Sequence, residues 1–171
     1  MTQRKVLAVV LISLGTVIFL GGVLYGSYRA RLAEPSPARL PEKLAGLPLR
    51  QHAFGRDAVE QINQLHDLDF PLVSGAVGAY GDGRQAVLWV SGALNRWAAA
   101  RMLETMTRKI EAGGSPFTTP EEISVDGYPV YRLEGMGQLH FYYVSGDLLI
   151  WLAADRPLAE QALSEVLDFY H

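Results

Sequence analysis

Between Lys5 and Arg29 the chain runs for 23 residues without a charge, from Val6 to Tyr28 (VLAVVLISLGTVIFLGGVLYGSY). As a helix rising about 1.5 Å per residue, this run reaches roughly 34 Å, enough to cross a hydrocarbon layer of about 30 Å. A buried helix of a soluble core is rarely uncharged over such a length. A cleaved signal peptide has a shorter apolar core, about 7–15 residues, followed by a small-x-small site. Here the exit reads Ser27-Tyr28-Arg29-Ala30-Arg31, without that site. We therefore expect residues 1–29 to be an uncleaved transmembrane anchor, with the lipid bilayer as the partner of residues 6–28. Tyr25 and Tyr28 stand where aromatic rings favour the headgroup level, and Arg29 and Arg31 where cations snorkel.

Orientation depends on the cations flanking the span. A literal Lys/Arg count, with Arg29, Arg31, Arg39 and Lys43 after the span against Arg4 and Lys5 before it, places the remainder in the cytoplasm. Close to the span the sides are nearly balanced, and a very short basic N-terminus usually stays inside. The expected arrangement is a single-pass protein of the inner membrane with its domain outside the cytoplasm. Ala8, Gly15 and Gly22 recur at sevens, and Gly22 and Gly26 form a small-xxx-small pair. Gly15, Gly22 and Gly26 are thus candidates for helix association in the bilayer, although glycine is common in spans in any case.

The chain has no cysteine, which excludes disulfides, thiol nucleophiles, thiolate metal sites and cysteine acylation. Residues 1–34 carry a net charge of +3 and residues 35–171 a net charge of −6. An acidic remainder without a basic run argues against nucleic acid as a partner. The cations beside the span suit anionic headgroups instead.

Residues 30–49, with Pro35, Pro37, Pro41 and Pro48, read as a stiff Pro-rich linker holding the domain off the membrane. Residues 50–171 read as one soluble α+β domain. A helix is expected over 58–66, capped by Asp57 with Glu60 completing the box. A hairpin follows, over 72–80 and 85–91, turning at Gly81-Asp82-Gly83. A second helix over 95–112 buries Ala99, Leu103, Met106 and Ile110 and turns Arg96, Arg101, Glu104 and Arg108 to water. Strands are expected over 129–134, 138–144 and 148–153, the last apolar throughout and so central. A final helix starts behind Asp155 and buries Ala159, Leu163, Val166 and Tyr170. The order is αββαβββα: an antiparallel sheet with packed helices. Its two halves look alike, each with a Val-Ser-Gly at a strand end (Val90-Ser91-Gly92, Val144-Ser145-Gly146) before an amphipathic helix.

This succession over residues 57–170 resembles the roadblock and longin small domains, which implies a dimerising or GTPase-regulating platform. The segments Leu65-His66, Gly137 to Tyr143 (GQLHFYY) and Trp151 to Asp155 (WLAAD) resemble uncharacterised bacterial single-pass membrane proteins. That second resemblance implies no activity.

Few residues carry chemistry. Gly81 to Ala86 (GDGRQA) fits G-x-G-x-x-A, but a dinucleotide fingerprint must open a helix, and this one joins two strands. His66, Asp67 and Asp69, with His140 approaching from a strand, could bind a divalent metal or supply a general base. Their spacing matches no ligand pattern, and a helix-end histidine followed by turn aspartates explains them equally. No catalytic residue, metal or cofactor is expected. The aromatic content is more telling. Alternation sends His140 and Tyr142 to one face of their strand and Leu139, Phe141 and Tyr143 to the other. If helices cover one face only, Tyr131, His140 and Tyr142 meet a partner on the other, unless they are ordinary sheet packing. Phe117, in the loop over 113–122, is a further interface candidate. The expected function is a membrane-anchored, non-enzymatic binding or assembly domain of the cell envelope, meeting another protein or itself. The alternatives are a membrane-bound enzyme or ligand sensor using His66 and His140, and a cytoplasmic-facing roadblock-like regulatory module.

Overall fold

The computed structural model describes residues 3–66 and 70–171. Its first unit, Met1–Glu34, is built on one helix, α1 (Gln3–Ala33). Over Lys5–Ala33 it is long and apolar enough to cross a membrane, with a mean hydropathy of 2.6 and no burial in its apolar stretch. The Thr16 hydroxyl donates to the Ile12 carbonyl at 2.9 Å, so a polar group within the run is satisfied by the helix itself. Glu34 N–H still bonds to the Ala30 carbonyl, and Pro35 then stops the helix, since it has no N–H and disfavours helical backbone before it.

The second unit, Pro35–His171, is built on a sheet of nine strands among the described residues. Its elements in chain order are β1 (Ser36–Pro37), β2 (Lys43–Leu44), β3 (Leu47–Phe54), α2 (Gly55–His66), β4 (Ser74–Tyr80), β5 (Ala86–Gly92), α3 (Arg96–Glu111), β6 (Glu121–Val125), β7 (Tyr128–Gly135), β8 (Gln138–Ser145), β9 (Leu148–Ala154) and α4 (Ala159–Tyr170). The strands lie in the order β2-β3-β4-β5-β9-β8-β7-β6, with antiparallel neighbours throughout. Among the described residues β1 alone is parallel, filling the margin of β4 below the end of β3. This is the expected α+β fold, with β9 at the centre between β5 and β8.

Period-2 alternation divides the core between two faces. Tyr80, Leu88, Val90, Phe141, Tyr143, Ile150 and Leu152 meet Ala159, Ala162, Leu163, Val166 and Leu167 of α4. On the other face Val77, Ala79 and Val87 meet Ala58, Val59 and Ile62 of α2, while Leu133, Tyr142 and Leu149 meet Met106 and Ile110 of α3. Helices thus cover both faces. The likeness of two halves does not extend to the fold. α3 follows β5 directly, β9 intervenes between β8 and α4, and the two helices lie on opposite faces.

Residues 35–49 are not a spacer. Leu44 is fully buried, and Leu40, Leu47 and Leu49 pack against the α4-side core. The Tyr80 hydroxyl donates to the Pro41 carbonyl at 2.9 Å, the Tyr170 hydroxyl to the Arg39 carbonyl at 2.6 Å, and Ala45 N–H to Glu165 Oε2 at 2.7 Å. The prolines are compatible because Pro37 sits in a two-residue strand and Pro48 stands near the start of β3, where its partner is the two-residue β2 and a missing N–H is tolerated.

Two caps differ from expectation. α2 begins at Gly55, immediately after β3, so Asp57 lies in its first turn instead of before it. Gly55 has φ +57, and a Cβ there would meet the Pro35 carbonyl oxygen at 2.8 Å, so only glycine makes this corner comfortably. α4 has Leu158 at its N-cap with no side-chain bond, and Asp155 instead accepts from Gln138 Nε2 at 2.9 Å.

Candidate functional site

Four aromatic residues form a continuous row across the α3 face of the sheet. Register pairs Tyr131 with Tyr142, Tyr142 with Trp151, and Trp151 with Trp89. Tyr142 stacks on Trp151 with centroids 5.0 Å apart and planes 6° apart, and on Tyr131 at 5.0 Å and 13°. Such offset pairs contribute about 0.5–1.5 kcal/mol each beyond area burial.

His140 lies one register step along, opposite Ala153 and Leu133, and is buried. Both ring nitrogens are engaged. Trp151 Nε1–H donates to His140 Nδ1 at 3.1 Å, and Nε2 lies 3.0 Å from the Gly135 carbonyl oxygen. An indole N–H can only donate, so Nδ1 accepts and the ring proton sits on Nε2, donating to Gly135. Burial pushes the His140 pKa below the ordinary histidine value, and the Gly135 carbonyl offsets part of that. Phe117 closes the group, edge-on to His140 at 4.9 Å and tilted on Trp151 at 5.4 Å. It is held there by the bridge between Phe117 and Gly135 and by Thr118 N–H donating to the Glu134 carbonyl at 2.8 Å.

Tyr142 is fully buried under α3. Its hydroxyl is 3.1 Å from Thr107 Oγ1, and Thr107 donates its own proton to the Leu103 carbonyl at 2.9 Å. Tyr142 is therefore the donor in the pair. Burial pushes its pKa up to about 12, so it stays a neutral phenol.

The structure thus brings Tyr131, His140, Tyr142 and Phe117 together, but as packing rather than as an exposed face. Tyr142 is buried because α3 covers the face that would have carried a partner, and His140 is closed in by Phe117 and Trp151 on the same face. Tyr131 keeps part of its ring in water at the margin. A free lone pair for a metal is missing at His140, since both nitrogens are committed. The side chain of His66, and Asp67 and Asp69, lie outside the described residues. Among the described residues, no group of three His, Asp or Glu side chains is placed to hold a metal ion. The turn at Gly81 to Arg84 joins β4 to β5 as expected, with Gly81, Gly83 and Arg84 at φ +73, +87 and +62. Gly15, Gly22 and Gly26 lie on α1 with open space beside each.

Sequence reasoning counts Trp89 and Trp151 among the aromatic residues of the sheet without placing them beside Tyr142 and His140, and it missed Thr107. The pairing of β5 with β9 carries no local signal. Thr107 does show itself at helical spacing from Ala99 and Leu103. A separate shallow concavity, about 470 Å³, is lined by Gln85, Gly137, Asp155, Arg156, Pro157 and Leu158. Two of its groups are already tied, Asp155 by Gln138 and Arg156 by Glu134, whose carboxylate it meets with both guanidinium nitrogens. No family model, curated protein or solved structure matches the chain.

Proposed function

We propose that this is a single-pass membrane protein of the cell envelope whose domain over 35–171 acts by binding, not by catalysis, and meets another envelope protein or a second copy of itself. The reading rests first on α1, whose apolar stretch is exposed on every side and so calls for a surrounding apolar phase. It is supported by the state of His140. The imidazole best placed for acid–base or metal chemistry has both nitrogens committed to Trp151 and Gly135 within a packed aromatic group. An extracytoplasmic domain fits the short basic N-terminus before the span.

The test is recovery of the full chain from membranes. Resistance to alkaline extraction, together with chemical cross-linking to a defined protein or to itself, is the expected outcome. Extraction by alkali would remove the anchor, and a strictly monomeric chain that cross-links to nothing would remove the binding role.

A further inference from the structure

Apolar side chains remain in water at one end of the sheet. Trp97 is 76% exposed, Leu94 41% and Phe54 38%. Leu94 and Trp97 follow directly on β5, whose last residue Gly92 is paired with Ser74 on one side and Leu148 on the other. Phe54 ends β3 opposite Ala76. The chain enters the domain at this same end, where Ser36 pairs with Ser74 and donates its N–H to the Val73 carbonyl at 2.9 Å. Neighbouring strands lie about 4.8 Å apart, so Ser36 and Gly92, on either side of Ser74, are roughly 10 Å apart.

The exposure of Trp97 is fixed by the start of α3. Asn95 Oδ1 accepts from Trp97 N–H at 3.1 Å and Ala98 N–H at 3.0 Å, which sets the phase of the first turn. Ala99 is fully buried. At about 100° per residue, Trp97 points roughly 200° away from it, outward from the core. The cap therefore holds an indole in solvent at the end of the sheet where the chain enters the domain.

We propose that Leu94 and Trp97, with Phe54, are a lipid-contacting edge, and that the domain rests this end on the bilayer with the Trp97 ring at the headgroup level. The proposal depends on α1 being a membrane span. Chain length brings lipid within reach. α1 continues only five residues past Tyr28, and Glu34 and Pro35 then lead to Ser36. Fully stretched, these put Ser36 no more than roughly 20 Å beyond Tyr28. Residues 35–49 are folded into the domain and add no distance. Trp, with an apolar body and one N–H, is the side chain most at home at that depth. Arg96 stands between Leu94 and Trp97, while Asp147 lies across from them, its carbonyl accepting from Ala93 N–H at 2.9 Å. With both signs present, the edge fits the boundary between headgroups and acyl chains of an ordinary phospholipid bilayer, without requiring anionic lipid.

The cysteine-free chain allows a direct test. Single cysteines at Leu94→Cys, Trp97→Cys, Asp82→Cys and Leu14→Cys carry an environment-sensitive fluorophore, in the full chain reconstituted into phosphatidylcholine vesicles with nitroxide-labelled lipids. Asp82 is at the opposite end of β4, with its side chain 90% exposed. Labels at 94 and 97 are expected to shift to the blue and be quenched by headgroup-level nitroxide, the label at 82 to do neither, and the label at 14 to be quenched by acyl-chain nitroxide. Trp97→Glu is expected to abolish quenching of the label at 94. Labels at 94 and 97 that behave like the one at 82, or turn blue without quenching as in a protein contact, overturn the proposal while leaving the anchor intact. An unquenched label at 14 overturns the anchor, and the lipid-contacting edge with it.

Discussion

The indole of Trp151 donates a hydrogen bond to His140 Nδ1 at 3.1 Å, and this fixes the histidine as a neutral acceptor inside the sheet. Protonation would place a second N–H facing the indole N–H. Burial already holds the pKa of His140 below its ordinary value. In the unfolded chain the same residue titrates near about 6.5. Below that pH the unfolded chain takes up a proton that the native chain refuses, so stability is full at higher pH and falls with decreasing pH until the native pKa is passed. The limiting slope is about 1.4 kcal/mol per pH unit for one proton. Urea unfolding of the full chain in detergent, between about pH 7 and 5, is expected to show stability falling with pH by no more than this slope, and His140→Gln to reduce the fall. An unchanged slope in the variant would mean that His140 is not the titrating group.

Tyr142 offers a cleaner separation of hydroxyl from ring. Tyr142→Phe removes the bond to Thr107, whose own proton remains on the Leu103 carbonyl, and is expected to cost about 1 kcal/mol. Tyr142→Ala removes a fully buried ring stacked between Tyr131 and Trp151, and is expected to cost about 3–5 kcal/mol. Equal effects in denaturant midpoints would contradict a packing role for the ring.

Leu44 tests whether residues 35–49 belong to the domain. As part of a spacer, its truncation would change nothing. Leu44→Ala, at a fully buried position, is expected to destabilise the domain by about 2–5 kcal/mol, read by the loss of the unfolding midpoint.

Gly135→Ala probes the lid on the aromatic group. A Cβ at this position would run into Phe117 Cδ1 and lie 3.0 Å from the Pro116 carbonyl oxygen, so the ring must leave His140 and Trp151. The expected cost is about 1–3 kcal/mol, with a change in tryptophan emission as Trp151 gains solvent. Unaltered emission would show that Phe117 does not cover Trp151.

These residues also show where sequence reading succeeds. Long periodic segments were legible. The charge-free run became α1, Ala99, Met106 and Ile110 of the expected stripe became the buried side of α3 with Leu103 half-buried, and Glu104 and Arg108 lie 3.7 Å apart on its wet side. Alternation assigned His140 and Tyr142 to one face and Phe141 and Tyr143 to the other, as the core clusters bear out. What alternation cannot register is that α3 returns over the first of those faces, because that depends on pairing β5 with β9 across some sixty residues. Four prolines masked β1, β2 and β3, although Leu40, Leu44, Leu47 and Leu49 among and just after them signalled burial. β6 is absent from the expected strands, although the sequence carries a signal for it. Asp126-Gly127, with φ +51 and +84, is a strong two-residue hairpin signal, and its partner turn Met136-Gly137 shows the same pair of signs.

The orientation of α1 is the claim on which the function turns. A membrane-impermeant maleimide applied to intact cells carrying the Asp82→Cys chain reads it directly, because the chain has no other thiol and this side chain is 90% exposed. Labelling in intact cells is the expected result and places the domain outside the cytoplasm, where an envelope partner can reach it. Labelling only after the membrane is permeabilised would contradict that placement and put the domain in the cytoplasm.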